Sequence, residues 1–135
     1  MRIMWPEIRF SSVWKTAALE YEDQDDFLNA VAVIQTDKDA QTLLLQMKSI
    51  EEKLDKNPEF KFGPRTIDLD LLLFDSDVIE TEELNIPHSK MHERRFVLEP
   101  LCELIDVESK HPVLNETWKE LLFKVKDQKC IKVSM

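Results

Sequence analysis

Three stretches of the chain have hydrophobic patterns typical of β-strands, either an alternation with a period of two or a short run that is apolar on both faces. The stretches cover residues 7–15, 27–36 and 67–74. The second, FLNAVAVIQT, is apolar on both faces and rich in β-branched residues, which predicts a central strand with Asn29 as its polar exception. In the first stretch, one strand face would carry Ile8, Phe10, Ser12 and Trp14.

Between the second and third stretches the apolar spacing changes to that of a helix. Leu43, Met47, Ile50 and Leu54 recur every three or four residues, and residues 36–39 (TDKD) resemble a capped helix start, so we predict a helix over residues 39–55. Weaker patterns predict a hairpin from residues 78–79 and 84–86, short helices at 98–105 and 117–124, and a last strand at 131–133. This order predicts one α+β domain over residues 1–135, with helices on one side of an antiparallel sheet.

Composition narrows the possible functions. The 135 residues are 43% hydrophobic and 33% charged, as in a globular domain, and the net charge of −9 argues against a nucleic-acid partner. The single glycine, Gly63, excludes glycine-rich phosphate loops, and no apolar run approaches the roughly 18–20 residues of a membrane span. Cys102 and Cys130 form no CxxC motif, which favours reduced thiols and a cytoplasmic location.

The strongest chemical signal is the block GPRTIDLD at residues 63–70. On a strand, Asp68 and Asp70 would project alike, about 6.5–7 Å apart, and would repel each other unless cations lay between them. Two Mg²⁺ ions bridging phosphates would meet that need; the alternative is a solvated outer face. Arg65 could hold a phosphoryl group beside the metals or serve as a surface ion-pair partner.

A second cluster, at residues 87–96 (PHSKMHERRF), concentrates cationic and imidazole groups in an acidic chain. Such a patch could bind a polyphosphate through His88 and Arg94, whereas we interpret His92 as structural.

These blocks resemble one known family. FGPRTIDLDLLLF followed by IPHSKMHERRFVLEPL, with SSVWKT and DFLNA earlier in the chain, is similar to 6-hydroxymethyl-7,8-dihydropterin pyrophosphokinase. The resemblance covers about residues 8–105 and implies a ferredoxin-like arrangement of the α+β fold. It also implies transfer of pyrophosphate from ATP to the hydroxymethyl group of the pterin, in folate biosynthesis, with two Mg²⁺ ions.

The resemblance assigns roles position by position. Asp68 and Asp70 would be the metal ligands, and Arg65 and Lys61 would be further catalytic residues. The ATP site would be formed by Glu51, Arg65, Ile67, Asn85, His88, Ser89 and Arg94. The pterin site would be formed by Thr16, Ala17, Leu19, Phe27, Asn29, Phe62, Asp68 and Phe96.

The physical chemistry of three of these residues agrees with the resemblance. The amide of Asn29 can satisfy both donors and acceptors on a pterin edge; alternatively it is a structural Asn bonded to nearby backbone. Phe62 and Phe96 could stack on a flat heteroaromatic ring or serve as ordinary core residues.

The chain also departs from the family, whose typical members begin with a strand, a turn and a helix before the segment that matches residues 8–15. We therefore expect an N-terminally short member and a homo-oligomer, because a missing central strand would leave sheet backbone unpaired. The alternative function is a weakly active or inactive homologue that binds pterin or nucleotide, or acts as a partner subunit.

Overall fold

A computed structural model describes residues 7–16, 27–56 and 68–133. The chain forms two compact units, Met1–Gln35 with Ser89–Met135, and Thr36–His88. Within the described ranges, antiparallel sheets and three α-helices confirm the predicted α+β class. The ferredoxin-like arrangement and the single domain over residues 1–135 stay predictions.

A β-bulge divides the first hairpin of the larger unit. β1 (Ile8–Phe10) pairs with β4 (Ala32–Ile34), and β2 (Trp14–Thr16) pairs with β3 (Phe27–Asn29), both antiparallel. Residues 11–13 on one side oppose residues 30–31 on the other, so one strand carries an extra residue.

The predicted continuous strands at residues 7–15 and 27–36 were therefore wrong. The Ser11 hydroxyl accepts the Val31 N–H (2.8 Å), and the Ser12 N–H donates to the Glu103 carboxylate (2.9 Å) instead of to a neighbouring strand. Because the extra residue changes which face a side chain takes, Phe10 is 61% exposed while Trp14 is half-buried. The predicted common face of Phe10 and Trp14 does not form.

Two helices complete the core of this unit. α2 (Arg95–Cys102) follows a 3₁₀ turn at Met91–Glu93, and α3 (Trp118–Lys124) begins with a capping box between Thr117 and Glu120. The predicted helix at residues 98–105 thus begins and ends three residues earlier than expected, whereas the one at 117–124 is confirmed. The core residues are Met91, Leu98, Leu101, Trp118, Leu121, Val125 and Cys130.

The C-terminal segment is held to α2 by Arg95. Its guanidinium donates to the carbonyls of Lys126 (2.9 Å) and Gln128 (2.7 Å) and to the carboxylate of Glu99 (2.8 Å). The chain then enters β7 (Ile131–Lys132), the last strand predicted from the sequence, and the structure shows that it pairs with β2. Cys102 and Cys130 are both free thiols, and burial raises the pKa of Cys102 to about 11, with the charge of Glu99 adding to the shift.

The sequence patterns did not single out His111, which is buried in this unit. Its Nδ1 accepts the backbone N–H groups of Val113 and Leu114 (both 3.1 Å), and its ring contacts Trp118 at 5.3 Å between centroids. Burial, followed by the nearby His92, lowers the pKa of His111, so the imidazole is neutral at neutral pH.

The smaller unit contains α1 (Ala40–Lys56) and a short hairpin. Asp39 accepts the Thr42 N–H (2.8 Å) as the helix begins, and hydrogen bonds from Thr42 lower the pKa of Asp39. The hairpin pairs β5 (Ile79–Glu80) with β6 (Asn85–Ile86). Both elements were predicted, the helix to within one residue at each end. Their core consists of Ala40, Leu84 and Ile86, surrounded by Leu44, Leu71, Phe74 and Ile79.

Residues 68–74 do not form the third predicted strand. A strand needs a hydrogen-bonded ladder, and the described backbone bonds of this segment lead elsewhere: the Leu69 N–H to a helix side chain and the Leu72 carbonyl to the His88 N–H. Within the described ranges, no helix is long and apolar enough to cross a membrane.

Candidate functional site

Glu51 lies where α1 can reach the segment that carries the paired carboxylates. Leu43, Met47 and Glu51 follow at four-residue spacing, and the first two are buried, so Glu51 continues an inward-facing row. Its Oε2 accepts the Leu69 N–H at 2.7 Å. The helix therefore holds the backbone between Asp68 and Asp70 in place.

Asp68 and Asp70 are both exposed, while Leu69 between them is half-buried. The predicted alternation of exposure is therefore present at these three residues although they form no strand. Among the described residues, no group of three or more His, Cys, Asp or Glu side chains could hold a metal ion.

The donor set still fits Mg²⁺. This ion binds hard oxygen ligands and commonly uses one or two carboxylates, completing its coordination with water and substrate phosphates. Asp68 and Asp70 supply such oxygens at exposed positions. If magnesium binds as the resemblance implies, these two residues would hold it.

Two further residues predicted for the ATP site lie in the same unit. His88 is half-buried, and its backbone N–H donates to the Leu72 carbonyl at 2.9 Å, two residues beyond Asp70. The structure thus joins the His88 loop to the segment with the carboxylates. Asn85 is exposed on β6, opposite Glu80.

In the larger unit, three predicted pterin residues share one face of the three-stranded sheet formed by β3, β2 and β7. Thr16 is paired with Phe27, and Trp14 with Asn29, so these four side chains project from the same side. All four are half-buried. The register thus brings Thr16, Phe27 and Asn29 together on one face, and their role in pterin binding stays a prediction.

Asn29 carries an unsatisfied donor. Its Nδ2 is buried and has no hydrogen-bond partner among the described residues. A buried amide that lacks a partner costs free energy, of the order of 1–3 kcal/mol, and a ligand acceptor would remove that cost. This geometry favours a binding role for Asn29 over the structural alternative, an Asn bonded to nearby backbone.

Three other predicted residues lie at or before the start of α2. The Arg94 guanidinium carbon lies 5.7 Å from the ring centroid of Phe96, within the range of a cation–π contact, and both residues are half-buried. Ser89 is exposed, two residues before the 3₁₀ turn. The remaining predicted site residues lie outside the described parts of the chain: Ala17, Leu19, Lys61, Phe62, Arg65 and Ile67.

The sequence patterns did not identify the hydrogen bond that Trp14 makes beside the sheet face carrying Thr16, Phe27 and Asn29. Trp14 was predicted only as a strand residue, yet its indole N–H donates to Oε2 of Glu103 at 2.6 Å. The two residues are 89 positions apart, and Glu103 lies in no motif, so no local pattern could have paired them.

Comparison with known proteins identifies the family of the chain. A family model described as 7,8-dihydro-6-hydroxymethylpterin-pyrophosphokinase matches residues 2–106. A Bacillus subtilis protein named 2-amino-4-hydroxy-6-hydroxymethyldihydropteridine pyrophosphokinase is 43% identical over 112 residues, covering 83% of this chain and 67% of its own. An Aquifex aeolicus protein of the same name is 38% identical over 112 residues, covering 83% of this chain and 69% of its own.

A longer relative comes from Schizosaccharomyces pombe. The protein named folic acid synthesis protein fol1 is 38% identical over 118 residues, which cover 87% of this chain and 16% of the yeast protein. The chain therefore spans about two thirds of the two bacterial relatives and a small part of the yeast one. With a family model matching well over half of its length, the chain belongs to the 7,8-dihydro-6-hydroxymethylpterin-pyrophosphokinase family, as its GPRTIDLD block predicted.

Proposed function

We propose that the chain transfers the pyrophosphoryl group of ATP to the hydroxymethyl group of 6-hydroxymethyl-7,8-dihydropterin and releases AMP, a step of folate biosynthesis. The observation that carries the proposal is the exposed pair Asp68 and Asp70, whose connecting backbone is hydrogen-bonded to Glu51. Family membership supports the same reaction.

Two Mg²⁺ ions are proposed at Asp68 and Asp70. Bound there, they would neutralise the triphosphate charge during transfer. The chain's own part is to present the two carboxylates in a fixed relation, which Glu51 supports through the Leu69 N–H. In the larger unit, Arg94 is proposed as a cation that can interact with phosphate oxygens, and its guanidinium carbon lies 5.7 Å from the ring centroid of Phe96.

The pterin is assigned to the face of β2 and β3 that carries Thr16, Phe27 and Asn29. The unsatisfied Nδ2 of Asn29 supports this assignment, because it can donate to an acceptor on the heterocycle. Phe27 and Phe96 supply aromatic surface for a flat ring. Thr16 donates its hydroxyl to the Lys129 carbonyl (2.9 Å), so its side chain contributes shape rather than a free donor.

The transfer requires no covalent nucleophile on the protein. The pterin hydroxyl oxygen forms a bond to the β-phosphorus, and the bond from that phosphorus to the bridging α–β oxygen breaks. AMP leaves with the electron pair of that bond, and the hydroxyl proton passes to solvent water. Catalysis then consists of positioning and charge neutralisation.

The test is product identity. Incubation of the chain with ATP, Mg²⁺ and the pterin should yield AMP and pyrophosphorylated pterin in equal amounts. Reactions without the pterin or with a chelator in excess over Mg²⁺ should yield neither. Formation of ADP would refute the proposal, as would pterin binding without AMP, which would identify a non-catalytic binding module.

We also propose a cytoplasmic location, which the free thiols of Cys102 and Cys130 support. A homo-oligomer is proposed as well. Leu28 and Ile131 are 65% and 62% exposed and flank Lys15 on the other face of the three-stranded sheet, which provides apolar surface for a second copy.

Sedimentation over a hundred-fold range of protein concentration is expected to show a species of at least twice the chain mass. Leu28→Glu should shift that species to the monomer, and Val113→Glu, at a similarly exposed apolar position, should not. A monomer at every concentration of the unaltered chain would refute self-association.

A further inference from the structure

The Glu103 carboxylate joins two segments of the larger unit. It stands at the C-terminal end of α2, where Oε1 accepts the Ser12 N–H (2.9 Å) and Oε2 accepts the Trp14 indole N–H (2.6 Å). Each carboxylate oxygen therefore has its own donor. Both donors come from residues 11–16, the region of the bulge and of β2.

Glu103 remains ionised at neutral pH. Burial acts to raise the pKa of Glu103, but the hydrogen bonds from Ser12 and Trp14 and the charge of Lys132 outweigh it and lower the pKa. Hydrogen bonds to an ionised acceptor are about twice as strong as neutral ones. The carboxylate can therefore fix the indole more firmly than packing alone would.

Trp14 stands directly beside the unsatisfied amide. It is the register partner of Asn29, and both are half-buried on the face that also carries Thr16 and Phe27. Register partners have Cβ atoms about 4.5–5.5 Å apart, so the indole and the amide are immediate neighbours. The position of the indole determines how much space remains next to Asn29 Nδ2.

We propose that Glu103 is a positioning residue for the pterin: it holds the Trp14 indole against the Asn29 amide, so that the indole bounds the space in which a heterocycle meets Nδ2. This inference rests on the proposed function. It assigns Trp14 a role in determining which ring fits and gives Glu103 a role that it performs only through Trp14.

Two substitutions separate this role from a purely structural one. Glu103→Gln leaves a single side-chain oxygen to accept from the Ser12 and Trp14 N–H groups. The NH₂ group that replaces the second oxygen cannot accept, so one of the two donors loses its partner. Trp14→Phe keeps an aromatic ring but removes the N–H. Each should raise the KM for the pterin about ten-fold, as expected for loss of a hydrogen bond to a charged group, while the KM for ATP changes less than two-fold.

The double variant gives the sharpest readout. If Glu103 acts through Trp14, then Glu103→Gln in the Trp14→Phe background should add less than a two-fold change in the KM for the pterin. Glu108→Gln is the matched control, because Glu108 is exposed in the same unit and pairs only with Lys119 among the described ion pairs (3.7 Å). It should leave both KM values unchanged.

Direct binding of the pterin, measured by calorimetry on the same variants, distinguishes failure of the proposed function from failure of the inference about Glu103. If the unaltered chain forms AMP and Glu103→Gln leaves the KM for the pterin unchanged, the inference is overturned and the proposed function stands. Multiplicative effects in the double variant would also overturn it. If the unaltered chain binds the pterin without forming AMP, the proposed function fails, and the same ten-fold loss measured as Kd would support the inference. A chain that neither binds the pterin nor forms AMP refutes both.

Discussion

Replacing Asp70 with Asn should lower the rate of AMP formation about a hundred- to a thousand-fold. The amide keeps the size of the side chain but removes the negative charge that would hold Mg²⁺ beside the triphosphate. Asp68→Asn should have a comparable effect, since the two residues flank the same backbone N–H held by Glu51. The measurement is initial AMP release at saturating ATP and pterin, repeated over a range of Mg²⁺ concentrations.

The fold should tolerate both changes. Asp68 and Asp70 are exposed, and substitutions at such positions usually change the free energy of unfolding by less than about 0.5 kcal/mol. Asp77→Asn is the matched control, because Asp77 is also exposed in the same unit and should keep full activity. If Asp70→Asn kept more than a tenth of the activity at every Mg²⁺ concentration, the carboxylate pair would not be the metal site.

The largest expected loss of stability follows Leu98→Ala. Leu98 is 0% exposed at the centre of α2, the helix that contacts β2, β3 and α3. Removing a fully buried leucine side chain loses its transfer free energy and leaves a cavity, so the free energy of unfolding should fall by about 2–5 kcal/mol. Denaturant titration followed by circular dichroism gives this value directly.

Leu45→Ala provides the comparison. It is the same substitution at a helical position, but Leu45 is 61% exposed on α1. It should change the free energy of unfolding by less than about 0.5 kcal/mol. Similar losses for the two variants would mean that α2 does not form the core described above.

The sequence located well those elements whose signals are local. α1 was predicted to within a residue because its cap and its apolar spacing are signals from neighbouring residues. α3 was also located, and the structure shows that it begins with a capping box between residues three positions apart. The β5–β6 hairpin was found because its strands adjoin a short polar turn. Each of these signals depends on residues a few positions apart.

The extended segments were predicted less well, since strand formation depends on the partner as well as on the pattern. The predicted alternation of exposed and half-buried side chains holds for Asp68, Leu69 and Asp70, yet residues 68–74 do not form a strand. Residues 7–15 alternate as well, but an extra residue opposite residues 30–31 divides the hairpin and changes its faces. An alternating pattern shows which side chains avoid water; it does not show where the backbone hydrogen bonds go.

By itself, the sequence determined the family to which the motifs of this protein belong, and it singled out the paired carboxylates and the amide of Asn29 as candidate site residues. Only the tertiary structure showed which side chains bond to the neighbours of those groups, namely Glu51 to the Leu69 N–H and Glu103 to the Trp14 indole. The physical reason is distance along the chain. These bonds join residues 18 and 89 positions apart, and such pairs are chosen by the packing of helices against other segments rather than by any local pattern.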